Sequence, residues 1–295
     1  MKKWFVKYLI GAAALGVITT VQAEEVDRTI DAAADGYVEI INISGSIEVY
    51  GWSKGSVEVT GEIGEKVEEL ILERNGDRVL VKVKVPRNNS NNISSDLTIR
   101  VPEGSSIDVS TVSADITSEG VEGEQNLHTV SGDVEAEASD SDVAAHSVSG
   151  DVDVTGDGSE IETQANTVSG DVTVIDVSGA VAVEAVSGDL LVRGGSFERA
   201  TLNSVNGEID FQAGLRDGGK LAIETVNGDV DVQFDGDVSA KFDIETFNGD
   251  IDNCFGPKAE RTSKYAPGYE LNFSEGDGDG RVTINTLNGD IDICN

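Results

Sequence analysis

Aromatic side chains make up only 5% of the 295 residues. That leaves little material for the ring platforms on which sugars stack. Basic residues are scarce as well: 21 Lys and Arg stand against 55 Asp and Glu, a formal charge of −34. A field of that sign repels phosphate backbones, which excludes nucleic acid as a partner, and it disfavours electrostatic docking on anionic lipid. No second long apolar run follows the one near the start, and after residue 25 no segment combines a helical period with caps. A His-Glu-x-x-His pair and a Ser-His-Asp set are both missing. The calcium nonapeptide is also missing, and Asp277-Gly278-Asp279 lacks the later Glu of an EF-hand loop.

What the chain does contain is one sentence repeated: [Thr/Ser/Ala]-[Val/Phe/Leu]-[Ser/Asn]-Gly-[Asp/Glu]-[Val/Ile/Leu]. It begins in degenerate form at Thr111, with Ala114 in the glycine slot, and recurs at Gly132, Gly150, Gly170, Gly188, Gly207, Gly228, Gly249 and Gly289. The intervals are 18, 18, 20, 18, 19, 21, 21 and 40 residues. Periods near 20 mark a solenoid, in which one unit cannot bury its own apolar face and stacked units can. After each Gly-Asp the residues alternate, as in Val152-Asp153-Val154 and Val230-Asp231-Val232. Alternation with period two reads as a half-buried strand, Val inward and Asp outward. The predicted fold is all-β: a parallel β-helix with two strand-turn units per coil and coils about 4.8 Å apart.

Residues 1–23 read as an export signal: Lys2, Lys3 and Lys7 precede an apolar core, and Val21-Gln22-Ala23 offers a small-residue cleavage point. Removing those three lysines takes the formal charge from −34 to −37. Residues 24–105 hold short strands separated by Gly, Asn and Ser clusters and read as an N-terminal β cap shielding the first coil. Residues 106–295 form the repeat domain, with a loop excursion at 255–280 marked by Pro257, Pro267 and Gly276 to Gly280. The expected location is periplasmic or extracellular, with no membrane span after signal cleavage.

Stacking turns each motif position into a column. The acids after the glycines, from Asp115 to Asp290, form one. Either they bond turn N–H groups, or they collect Ca²⁺ weakly through hard oxygen ligands. Arg199, Lys220, Lys241 and Arg281 form a basic column, and Asp210, Asp231, Asp252 and Asp292 an acidic one. Ser131 to Ser187 give way to Asn206, Asn227, Asn248 and Asn288, which can stack into an amide ladder. His128 and His146 fall on neighbouring coils, where adjacent imidazoles either bind a transition metal or are two members of a polar column. No metal or cofactor site is assigned. Cys254 and Cys294 each stand five residues after their glycine, which puts their Cα atoms about 5 Å apart if 255–280 loops out, within disulfide range. Lys258, Arg261, Lys264, Tyr265, Tyr269 and Phe273 make the excursion locally basic and aromatic, a candidate partner loop.

Ile43-Ser44-Gly45-Ser46-Ile47-Glu48-Val49-Tyr50-Gly51-Trp52, Leu97-Thr98-Ile99-Arg100-Val101-Pro102 and the Val-Ser-Gly-Asp-Val sentences resemble the bacterial auto-transporter adhesin-like β-strand-repeat family, a domain of unknown function. The resemblance covers the chain after residue 23. It implies a β-helix-like fold and an envelope location, and it brings no catalytic residues. The expected function is a non-catalytic, adhesin-like binding or scaffolding protein whose partner is an envelope protein or polysaccharide. A polysaccharide lyase or hydrolase on the same fold is the alternative; it needs a base beside clustered carboxylates, whereas here acids and bases recur as uniform columns.

Overall fold

A computed structural model describes residues 24–87, 92–263 and 267–295. The predicted export signal at 1–23, most of the Asn-rich stretch at 88–92, and Lys264 and Tyr265 of the candidate loop lie outside the described residues. The described chain is all-β: 25 strands joined in one sheet, with no helix.

Strands one repeat apart pair in parallel and in register. On the side before the glycines, Gln125–His128 pairs with Val143–His146, which pairs with Glu160–Ser169, which pairs with Ser178–Ser187. On the side after them, Val134–Ala138 pairs with Val152–Gly156, which pairs with Val172–Ile175. The register follows from the pattern, because a slip of one residue would turn every apolar side chain outward. Val134, Val152, Val172, Leu190, Ile209 and Val230 are accordingly all buried.

The interior changes along the stack. Early repeats fill it with small residues such as Ala136, Ala145 and Ala165. Later repeats carry Phe197, Phe211, Phe234 and Phe242, whose rings step along the axis with centroids 6.0, 6.2 and 6.1 Å apart. Tilted and edge-on ring pairs at that separation are favourable beyond the area they bury.

Chain order and stacking order part company at both ends. Gly280–Asn288 inserts between Ile209–Asn227 and Ala240–Asn248, and Ile291–Cys294 inserts between Val230–Phe234 and Ile251–Asn253. The last repeat in sequence is therefore next to last in the stack. At the other end, Tyr37–Ile41 and Ser44–Trp52 lie between the strands of 78–102 and those of 106–119. A terminal segment with partners on both sides frays less than one at an edge.

The outermost strands are covered by antiparallel ones. Ser56–Ile63 runs along Ser95–Pro102, with Glu24–Asp31 outside it, and Glu69–Asn75 runs along Arg78–Lys84. At the far end Tyr269–Glu275 runs along Ala240–Asn248. Within the excursion at 255–280, Tyr269–Glu275 is thus a strand over the end of the stack, and its aromatic residues explain why. Phe273 stacks on buried Phe242 with centroids 4.3 Å apart and touches Phe255 at 5.5 Å. An uncovered parallel edge would present unpaired N–H and C=O groups to other chains.

Candidate functional site

Three hydrogen-bond ladders run along the turns. In the first, the carboxylate after one glycine accepts the backbone N–H of the acid after the next. Asp133 donates to Asp115 Oδ1 at 3.1 Å, Asp151 to Asp133 at 2.9 Å, and Asp171 to Asp151 at 2.8 Å. The far repeats do the same, where Asp290 donates to Asp229 and Asp250 to Asp290, both at 2.8 Å. The acids of this column therefore have a structural occupation. No group of three or more His, Cys, Asp or Glu among the described residues has the geometry to hold a metal ion.

The second ladder is the predicted one of amides. Asn227 donates to Asn206 at 2.9 Å, Asn288 to Asn227 at 2.8 Å, and Asn248 to Asn288 at 2.8 Å. Its order follows the stack, not the chain.

In the third, the buried hydroxyl that opens each motif donates to the carbonyl of the preceding glycine slot. Thr129 reaches Ala114 O at 3.1 Å, Ser147 reaches Gly132 O at 2.9 Å, and Thr167 reaches Gly150 O at 3.0 Å. The ladder is interrupted over three repeats. Ala185 has no hydroxyl, and the buried hydroxyls of Ser204 and Thr225 have no partner. Replacing Ala185 by Thr is expected to supply the missing donor to Gly170 O and to stabilise the fold by about 1 kcal/mol, the net value of such a bond. A thermal melt unchanged or lowered by this substitution would show that the carbonyl is out of reach there, as it is for Ser204.

His128 and His146 stack face to face, centroids 4.8 Å apart and planes within 3°. His146 Nδ1 lies 3.1 Å from Asn166 Nδ2. Burial first, and the neighbouring His128 second, hold His146 below the usual imidazole range. The pair continues into Asn166 and Glu184 in register. The geometry is that of a polar column with two imidazoles in it.

The predicted basic and acidic columns both form. Arg199, Lys220, Arg281 and Lys241 face one another in that order, as do Asp210, Asp231, Asp292 and Asp252. Stacked carboxylates disfavour each other's charge. Asp231 is raised by partial burial and then by Asp210 and Asp229; Asp292 is raised by burial and then by Asp231 and Asp252. A carboxyl whose folded value lies above its unfolded value binds protons more tightly when folded. Its charged form therefore weakens the fold at neutral pH, and stability is regained as pH falls through the raised value toward the ordinary carboxylate range. Asp231→Asn is expected to raise the melting temperature at pH 7 and to shrink the gain seen as pH falls from 7 into the ordinary carboxylate range. Identical pH profiles for the two proteins would remove the column as a source of repulsion.

The candidate partner loop is only partly available. Lys258 and Arg261 are exposed, but the Arg261 guanidinium lies 5.3 Å over the Tyr269 ring, and Phe273 is committed to Phe242. Cys254 and Cys294 are joined in a disulfide with Cα atoms 4.9 Å apart.

One column went unread in the sequence. Val112, Val130, Val148, Val168 and Val186 are each at least 43% exposed. Val205, Val226, Leu287 and Phe247 continue the line at 39 to 48%. These nine are the exposed large hydrophobics among the described residues, and all occupy the second motif position. The acid ladder stands three residues to one side. The column of His128, His146, Asn166, Glu184, Asn203 and Glu224 stands two residues to the other. A shallow groove of about 470 Å³ runs between the two columns at Asn203, Glu224, Val226 and Leu287, with Ser204 and Thr225 also lining it.

These ladders recur through residues that one family describes from end to end: Toastrack DUF4097 matches residues 20–185 and again 176–294. The chain belongs to that family. Among solved structures, a candidate lipid-binding protein from Parabacteroides distasonis is similar at 14% identity over 91% of this chain and 96% of its own, with a TM-score of 0.44. A candidate adhesin from Bacteroides fragilis is similar at 12% identity over 92% and 97%, TM-score 0.39. A candidate cell adhesion protein from Clostridium sporogenes is similar at 12% identity over 92% and 99%, TM-score 0.20. At such scores none of the three decides a function for this Toastrack chain. No curated protein matches it.

Proposed function

We propose that this Toastrack chain is an exported, non-catalytic, adhesin-like protein of the bacterial envelope, built as a parallel β-helix that serves as a rigid binding rod. The observation that carries the reading is the in-register stacking of every motif column across the repeats, with antiparallel strands over both ends. A solenoid of this kind displays long straight faces suited to extended partners. Its covered ends keep it from growing by edge pairing. Acids and bases stand in columns spaced by the repeat, an arrangement for display rather than for converging on one bond. The apolar run and cleavage point at 1–23 support export.

The test is a screen of the purified protein against envelope polysaccharides and envelope extracts, scored for both retention and cleavage. Retention without new reducing or unsaturated ends is the expected result. Turnover of any polymer would replace this reading with a carbohydrate-active enzyme. The excursion is best probed by Lys258→Ser with Arg261→Ser, because deleting 258–278 would also strip the strand Tyr269–Glu275 from the end of the stack.

A further inference from the structure

The geometry points to the exposed apolar column as a docking ridge for a cationic amphipathic helix that lies along the stack axis. The inference rests on the reading of the chain as a binding rod and names the class of partner.

Exposed aliphatic side chains scattered singly need no explanation, but a contiguous line of them marks an interaction surface. Here the described chain concentrates its exposed large hydrophobics in one line while its outward strand positions are otherwise mostly polar. The line is straight, because in-register pairing puts Val148, Val168, Val186 and Val205 on successive strands. Nine members at about 4.8 Å make a ridge of about 38 Å, which matches a helix of about 25 residues.

Charge selects the occupant. Asp133, Asp151, Asp171 and Asp189 run along one flank, all exposed, and Glu184 and Glu224 stand exposed on the other. A second copy of this chain would set one acid ladder against another, and an anionic lipid surface would meet a chain of formal charge −34. A helix with a leucine stripe bordered by Lys or Arg meets both demands at once, apolar contact on the ridge and opposite charge on each side. The groove beside the ridge gives the side chains next to that stripe a place to enter.

The probes are two synthetic peptides of 24 residues with the same Leu and Lys composition. One is patterned to put Leu on a single helical face, and the other is shuffled so that no face forms. Binding to the full exported protein is read by fluorescence anisotropy at 0.15 M NaCl. The patterned peptide is expected to bind at least tenfold more tightly than the shuffled one. Val148→Thr, Val168→Thr, Val186→Thr and Val205→Thr together keep the β-branched shape and every charge, and should abolish that preference. Val168→Thr alone should reduce it, which keeps the test sound if the fourfold variant folds poorly.

Equal binding of the two peptides would reduce the interaction to charge and overturn the proposal. So would an unchanged preference in the threonine variants. A wild-type dimer that the threonine variants dissociate, seen by sedimentation equilibrium, would overturn it in favour of a second copy. None of these results bears on whether the protein cleaves polysaccharide, so this inference and the non-catalytic reading fail separately.

Discussion

Gly188→Ala is expected to destabilise the protein by about 4 kcal/mol, combining overpacking against backbone with a backbone conformation that L side chains rarely adopt. An ideal Cβ at Gly188 would fall on the carbonyl oxygen of Gly170, one repeat away, and the residue sits at φ +148°. The oxygen cannot move aside, because it belongs to the next turn of the same ladder. Two other glycines separate the causes. Gly76 has φ +66° with open space around its would-be Cβ, so Gly76→Ala tests the dihedral alone and should cost about 1–2 kcal/mol. Gly228 is outside the positive-φ set, yet its would-be Cβ falls on Gly207 O, so Gly228→Ala tests the contact alone. Chemical denaturation of the three variants should rank Gly188→Ala as the most damaging and Gly228→Ala well above Gly76→Ala. Equal losses at Gly76 and Gly228 would mean that the contact between turns is not what selects glycine.

That contrast also shows where sequence reading reached its limit. The interval of the Val-Ser-Gly-Asp sentence is enough to predict parallel pairing at one repeat, because a period near 20 with alternating Val leaves few other ways to bury the apolar face. The glycine itself reads as a corner residue needing φ > 0. The structure gives a different reason at Gly228 and Gly249, where the turns pack too closely for a Cβ. Close approach between turns far apart in sequence, Gly228 to Gly207 and Gly249 to Gly289, has no local signature.

The same limit hid the insertion of 280–294 between earlier strands. An interval of 40 residues from Gly249 to Gly289 reads equally well as one long excursion at the end of the stack. Only the pairing partners reveal that Arg281 faces both Lys220 and Lys241. The packing role of the excursion's aromatics is hidden for a related reason. Phe273 and Tyr269 are rare aromatics in this chain, which made them look like anchors for a partner. Phe273 also holds its strand to the end of the stack through Phe242.

The apolar column is legible in the sequence by parity rather than by hydrophobicity. In Ile161-Glu162-Thr163-Gln164-Ala165-Asn166-Thr167-Val168, alternation puts Ile161, Thr163, Ala165 and Thr167 inside and so puts Val168 outside. Hydrophobicity alone argues for burial at that position; parity, followed along the strand, argues against it.

Cys254→Ala combined with Cys294→Ala is expected to lower stability by about 4 kcal/mol, the chain-entropy value for a cross-link closing about 40 residues. For a chain of this size that corresponds to a fall in melting temperature of roughly 10 °C. The sequence separation is 40, yet Cys294 ends the strand Ile291–Cys294 and Cys254 directly follows its neighbour Ile251–Asn253, donating its backbone N–H to Ile293 O at 3.0 Å. The bond therefore ties the outermost repeat to the inserted one, and the chain it closes includes the strand Tyr269–Glu275 that covers the edge. In an oxidising compartment this restrains the unfolded chain where the insertion must find its slot between two strands already formed in sequence. The wild-type protein should melt lower after reduction, the double variant should melt at that lower temperature with or without reductant, and hydrogen exchange should accelerate first in Gly280–Asn288 and Ile291–Cys294. Equal melting of wild type and double variant under oxidising conditions, with exchange altered only in the last four residues, would confine the disulfide to pinning the tail and leave the inserted repeat held by its ladders alone.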